Sequence, residues 1–186
     1  SVEKELGNLN ESKALYEKVI EIQKNIDDPN LLDLANNYNE LANIEYDLKN
    51  LEQAINSYKL ATVIGGKIYE PNHPDLKLFY YNLAMTELEL GNIIEAKKHF
   101  ILSSSAEENL SESNFSISAN SYSFLSKIEY MMGNIEEAIQ FSKQAIDIIE
   151  SDSETDKNFL VENYNNLAIC ERESGNLDEA KRHFQQ

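Results

Sequence analysis

The chain has 186 residues, and its 33 Asp and Glu outnumber its 16 Lys and Arg to give a net charge of −17. That surplus repels a phosphate backbone and argues against direct nucleic-acid binding. A single cysteine, Cys170, leaves no internal disulfide framework and no cysteine-based zinc site, and no apolar run approaches the roughly 18 residues of a membrane-spanning helix.

The chain repeats itself at a spacing of 42 residues: Leu6-Gly7-Asn8-Leu9 recurs as Leu48-Lys49-Asn50-Leu51, Leu90-Gly91-Asn92-Ile93, Met132-Gly133-Asn134-Ile135 and Ser174-Gly175-Asn176-Leu177. Tyr38, Tyr80, Tyr122 and Tyr164 occupy one repeat position, and Leu41, Leu83, Leu125 and Leu167 another. Such a register signals an array of stacked units rather than a compact domain. Taken in chain order, apolar residues at helical spacing predict helices near 9–26, 31–48, 51–69, 75–90, 93–109, 113–132, 135–150, 156–174 and from 177 onward. The units are a partial repeat over 1–30, repeats over 31–72, 73–114 and 115–156, and a partial repeat over 157–186. Only the end of a helix precedes Gly7 and the chain stops inside another, so the array reads as incomplete at both ends.

Within each unit the glycine suits a left-handed residue that ends the first helix. Lys49 stands there in the second unit, where a side chain costs about 1 kcal/mol. Asn8, Asn50, Asn92, Asn134 and Asn176 precede Glu11, Gln53, Glu95, Glu137 and Glu179 by three residues, the spacing of a reciprocal capping box with Asn as N-cap. Asp28-Pro29, Glu70-Pro71, His73-Pro74, Ser111–Ser113 and Ser151–Ser153 mark short links between units. Ala54, Ala96, Ala138 and Ala180 face Ala42, Ala84, Ser126 and Ala168, small residues that let two helix backbones approach.

The small residue after leucine, the glycine turn, the alanine five residues on and the aromatic four further (Tyr58, Phe100, Phe184, with Tyr16 in the first unit) resemble tetratricopeptide repeats over the whole chain. The period, with Asn72-His73-Pro74-Asp75 before Tyr81-Asn82-Leu83-Ala84, resembles the kinesin-light-chain-like variety. The resemblance implies an all-α, right-handed superhelical solenoid of antiparallel helix hairpins, four to five repeats, with a concave wall built by the first helices. Two departures predict looser packing: Ser142 in place of the aromatic in the fourth unit, and Ser12 in place of the alanine in the first. Glu45, Glu87, Glu129 and Glu171 stand where such repeats commonly place a tyrosine. They are expected to be partly buried and hydrogen-bonded to tyrosines such as Tyr38, Tyr80, Tyr122 and Tyr164 or to lysines of neighbouring helices, because an unpaired buried carboxylate is too costly. The alternative is an exposed anionic ladder for a basic ligand.

No nucleophile and base pair, phosphate loop or metal-ligand spacing is present, so no enzymatic activity and no cofactor are expected. His99 and His183 are equivalent positions without a convergent partner in the sequence, and Cys170 reads as a small buried hydrophobe. Gly65-Gly66 reads as a helix distortion, and the triplets at Asn10, Asn109 and Asn114 as chance matches to a glycosylation signal. The concave stripe implied by the resemblance carries Asn39, Asn43, Tyr46, Tyr81, Met85, Asn120, Lys127, Tyr130, Asn165 and Arg172. Asn can donate to and accept from a peptide backbone while Tyr and Met give adaptable apolar contact, the chemistry of a groove for an extended segment. Lys127 and Arg172 are too few for the carboxylate clamp of chaperone-binding relatives. The expected function is a cytoplasmic, non-enzymatic module binding a protein or peptide, with neither nucleic acid nor membrane as partner. The alternative is a peptide-sensing regulatory domain of a larger bacterial signalling or transcription protein.

Overall fold

The computed structural model of the protein describes residues 2–104, 112–151 and 157–183. Among them are nine helices and no strand: α1 (Val2–Lys24), α2 (Leu31–Asp47), α3 (Leu51–Ile68), α4 (Pro74–Glu89), α5 (Ile93–Ser103), α6 (Glu112–Met131), α7 (Ile135–Ser151), α8 (Lys157–Glu173) and α9 (Leu177–His183). They fall into two compact units, residues 1–99 and 100–186. In the first, α1 packs on α2, α2 on α3 and α3 on α4. In the second, α6 packs on α7, α7 on α8 and α8 on α9, and α6 also touches α8. Within each unit these helices pack on their sequence neighbours, as short antiparallel connections require.

The periodic apolar residues form the core of each unit. In the first, Ile20, Leu34, Tyr38, Leu41, Leu76 and Phe79 cluster together, and Ala42, Ala54, Ile55, Tyr58 and Leu83 form a second cluster against Tyr46. In the second, Tyr122, Leu125, Ile128, Ile146, Ile149 and Leu167 are buried. Close backbone approach at the small residues is explicit in the second unit: Ser126 Oγ of α6 donates to the Ala138 carbonyl of α7 at 2.9 Å.

Four hairpin turns share one geometry. The amides of Lys49, Gly91, Gly133 and Gly175 donate to the carbonyls of Tyr46, Leu88, Tyr130 and Arg172, and those of Asn50, Asn92, Asn134 and Asn176 to Glu45, Glu87, Glu129 and Glu171. This pair of bonds is the Schellman closure, and it needs a left-handed residue at the glycine position. Gly91, Gly133 and Gly175 have φ of 85°, 82° and 87°, and Lys49 follows them at 62°.

Three local expectations are corrected. Gly7 makes no turn, because α1 runs through it from Val2 to Lys24. The capping box fails at Asn50, whose side chain makes no cap hydrogen bond. Its ψ of 62° is not the extended value that turns an N-cap side chain toward the helix amides. Asn30, extended with ψ 103°, does cap α2 by accepting from Leu32 and Asp33, and His73 Nδ1 accepts from the Asp75 amide to cap α4. Finally, α5 ends at Ser103, short of the expected 109, with Ser104 outside the helix; the links at 111 and 152–153, the Asn109 triplet and Phe184 lie outside the described residues.

Candidate peptide-binding surface

The four glutamates decide how much of the first-helix surface is open to a ligand. Glu45 is 5% exposed and Glu87, Glu129 and Glu171 are each 1% exposed, which rules out a solvent-facing anionic ladder. Glu45 accepts from Ser57 Oγ at 2.7 Å and pairs with Lys13 Nζ at 3.0 Å. Glu87 meets His99 Nδ1 at 2.6 Å and Lys59 Nζ at 3.7 Å, and Glu171 meets His183 Nδ1 at 2.6 Å. Glu129, with Phe141 at the corresponding position, accepts from Asn134 Nδ2 at 2.7 Å. Lysines meet Glu45 and Glu87 as expected, a histidine meets Glu171 and an asparagine Glu129, and the tyrosines contribute less directly. They act one step back: Tyr80 stacks on His99 and Tyr164 lies against His183, with ring centroids 6.1 and 5.6 Å apart. The two histidines are therefore the ligands of buried carboxylates.

In the first unit the candidate amides are largely committed internally. Asn39, 5% exposed, accepts from Asn82 Nδ2 at 3.2 Å. Asn43 accepts from the buried Tyr58 hydroxyl at 2.6 Å. Tyr46 lies under Lys49 Nζ at 5.0 Å, and its hydrogen bond to Glu89, with burial, holds the phenol up to about 12. Tyr81 and Met85 are half-buried, and burial raises the Tyr81 phenol above its usual range.

The second unit is more open. Asn120 turns back to the Ser116 carbonyl at 2.8 Å. Asn165 and Arg172 are exposed, the latter bonded to Glu173 at 3.0 Å. Lys127 pairs with Glu162 at 2.7 Å and sits 5.3 Å over the Phe124 ring. Lys127 and the exposed Tyr130 converge with Met131 of α6 and with Asn166, Ile169 and Cys170 of α8 around a pocket of about 310 Å³. Ser126 also lines it. Asn166, Met131 and Cys170 were not singled out by the stripe, since the pocket is lined from between two first helices rather than along one face. The one signal in the sequence was Ser142, the missing aromatic.

Among the described residues no three His, Cys, Asp or Glu are grouped to hold a metal ion, and no helix is long and apolar enough to cross a membrane.

The tetratricopeptide repeat family model matches residues 1–64, 33–103 and 117–186. The chain belongs to the tetratricopeptide repeat family. Its fold is the all-α helical solenoid of that family. Among solved structures, BtubC (BKLC) from P. vanneervenii superimposes with a TM-score of 0.78 at 18% identity, over 98% of this chain and 72% of that one. The nearly identical TPR-like repeats of a P. anserina protein assigned as a kinesin light chain give 0.75 at 19% identity, over 97% and 85%. RapI in its apo form gives 0.75 at 16% identity, over 96% of this chain and 48% of that one. No curated protein matches in sequence. At these identities the likeness is one of fold, and it includes the kinesin-light-chain-like repeats that the 42-residue period suggested. Tetratricopeptide repeats generally mediate protein–protein interactions, which is the level of function the family membership carries.

Proposed function

We propose that this tetratricopeptide array is a non-enzymatic, cytoplasmic interaction module that holds an extended segment of a partner protein against the exposed stripe of its first helices. The observation that carries the reading is the opening between α6 and α8, where Lys127, Tyr130 and Ile169 border an apolar pocket of about 310 Å³. Such a concave apolar site with few polar groups at its edge suits a side chain presented by a peptide. Exposed Asn165 and Arg172 on α8 supply adaptable polar contacts beside it. The net charge of −17 favours neutral or basic segments and disfavours nucleic acid.

In the first unit the corresponding positions carry Tyr81 and Met85 as half-buried contacts, while Asn39 and Asn43 are bonded to Asn82 and Tyr58. Peptides selected from a random display library test the reading. Tyr130→Ala with Asn165→Ala and Arg172→Ala should weaken the selected peptides by about tenfold or more. Lys143→Ala with Gln144→Ala, exposed positions on the second helix α7, should leave them unchanged. The reverse pattern would place the binding surface on the second helices and refute the proposal.

A further inference from the structure

The pocket in the second unit has a counterpart in the first, and there it is filled from within. Tyr58 of α3 is 3% exposed, clusters with Ala42, Leu83 and Tyr46, and donates to Asn43. Two repeats further on, the same positions are Ser142 for Tyr58, Ser126 for Ala42, Lys127 for Asn43 and Tyr130 for Tyr46. Three of these, Ser126, Lys127 and Tyr130, line the pocket. Ser142 is fully buried, and its hydroxyl lies 2.7 Å from that of Ser126. A serine therefore stands where the array elsewhere places a ring, and the volume it vacates opens between α6 and α8. An apolar cavity of about 150 Å³ is enough for benzene, so about 310 Å³ admits an aromatic side chain together with part of its backbone.

A second difference between the units points the same way. Asn82 Nδ2 donates to Asn39 in the first unit. Its counterpart Asn166 has the shorter Ser123 in place of Asn39, and the Ser123 hydroxyl is turned to donate towards Asn163 Oδ1 at 2.5 Å and the Ala119 carbonyl at 2.9 Å. Asn166 Nδ2 is buried with no hydrogen-bond partner among the described residues, and Asn166 lines the pocket. A buried donor without an acceptor is unfavourable until something supplies one.

We propose that this pocket anchors the bound segment by taking one aromatic side chain, phenylalanine or tyrosine, whose own backbone carbonyl accepts from Asn166 Nδ2. The proposal rests on the reading of the array as a peptide-binding module. The Tyr130 ring and the Met131 thioether suit a ring as neighbour, and the Lys127 ammonium, already paired with Glu162, leaves the mouth without strong charge of either sign.

The test uses three capped tripeptides, acetyl-Gly-Tyr-Gly-amide, its Phe analogue and its Ala analogue, titrated into the full chain while the methyl resonances of Met131 and Ile169 are followed. The Tyr and Phe peptides should saturate with dissociation constants on the order of 1 mM, and the Ala peptide should not bind in that range. Ser142→Tyr, which restores the internal ring, should weaken both aromatic peptides at least tenfold and raise the melting temperature. Ile169→Trp, which obstructs the pocket from α8, should do the same to binding if Ser142→Tyr fails to fold. Asn166→Leu should weaken the aromatic tripeptides about fivefold but leave p-cresol, which has no backbone carbonyl, unaffected. Equal binding of the Ala peptide, or parent-like binding of the aromatic peptides to the filled pocket, would overturn the proposal. If library-selected peptides bind Ser142→Tyr as tightly as the parent yet lose affinity in the Tyr130, Asn165 and Arg172 variant, the anchor is wrong while the groove stands. If the tripeptides behave as expected but that groove variant keeps full affinity for the selected peptides, the broader reading fails instead.

Discussion

Replacing His99 by Phe should destabilise the first unit by about 2 to 3 kcal/mol, and the size of that effect tests the account of the buried glutamates. Glu87 is 1% exposed and His99 is its nearest donor, Nδ1 to Oε2 at 2.6 Å. Breaking a buried pair by removing one partner commonly costs about 3 to 5 kcal/mol, because the other charge is left in a poor solvent. Two features lower the figure here. Lys59 Nζ remains 3.7 Å from the other carboxylate oxygen, and the imidazole side chain is 18% exposed, so water can reach part of what it leaves. Phenylalanine is the informative substitution because it preserves the stacking on Tyr80. The fourth repeat already has that arrangement, with Tyr122 and Phe141 centroids 6.0 Å apart. His99→Ala should lose about 0.5 to 1 kcal/mol more through the missing ring pair.

The control is the double variant Glu87→Leu with His99→Phe, in which neither buried polar group survives. It should be closer to the parent than His99→Phe alone, since replacing both partners with apolar groups of similar volume is often nearly neutral. A double-mutant cycle should therefore show a coupling of at least about 1.5 kcal/mol. Urea denaturation gives the totals, and hydrogen exchange of the α4 and α5 amides localises them, because repeat arrays need not unfold in one step. A loss below about 0.5 kcal/mol for His99→Phe, or strict additivity in the cycle, would show that the carboxylate draws its stability from Lys59 or from solvent and would refute the argument.

Lys49→Gly should raise the urea midpoint, because relief of its φ of 62° is worth about 1 kcal/mol whereas the pair it loses with Glu89 at 3.0 Å is exposed and screened by solvent. Gly91→Ala, at φ 85°, should cost about 1 kcal/mol of stability in the same assay. Within α3, Gly66→Ala meets nothing within 4 Å and should stabilise by about 0.5 to 1 kcal/mol, measured by thermal unfolding. Gly65→Ala should lose that gain, since its Cβ would lie 3.2 Å from Leu76 Cδ1 and 3.3 Å from Phe79 Cδ2. Tyr46 ionises near 10 in the unfolded chain but only at about 12 when folded, so its contribution is complete below pH 10 and is lost as pH rises from 10 towards 12. Denaturation midpoints across that window should fall less steeply in Tyr46→Phe than in the parent.

The architecture was legible because it is written four times. The glycine turn, the small residues opposite one another and the period-3.6 apolar stripe each constrain the same hairpin, so an irregularity such as Lys49 does not obscure it. Features that depend on a single backbone angle or on packing between helices were not legible. The capping box at Asn50 had the right residues at the right spacing, yet ψ at 62° turns the side chain away. Asn39 and Asn43 were read as ligand contacts from their place on the stripe, but their hydrogen bonds to Asn82 and Tyr58 follow from which side chains lie beneath them. His99 and His183 looked partnerless because their carboxylates are twelve residues earlier, on the other arm of the hairpin.

One residue type at one position joins these levels. In each of the four turns the glutamate carbonyl accepts the amide of the following Asn and so closes the end of the first helix. The carboxylate of the same residue is buried in every case. In Glu45 and Glu87 it reaches both flanking second helices, to Lys13 and Ser57 for the one and to Lys59 and His99 for the other. A tyrosine there could fill the same space but could accept no comparable set of charged and polar donors. The glutamate thus ties the second helix of one repeat to the hairpin of the next while its backbone fixes the turn. This places the polar stabilisation on the inner side of the helix pairs and leaves the opposite stripe of the first helices free to vary. Behind that stripe, the ring that α7 lacks at position 142 leaves the pocket between α6 and α8 unfilled.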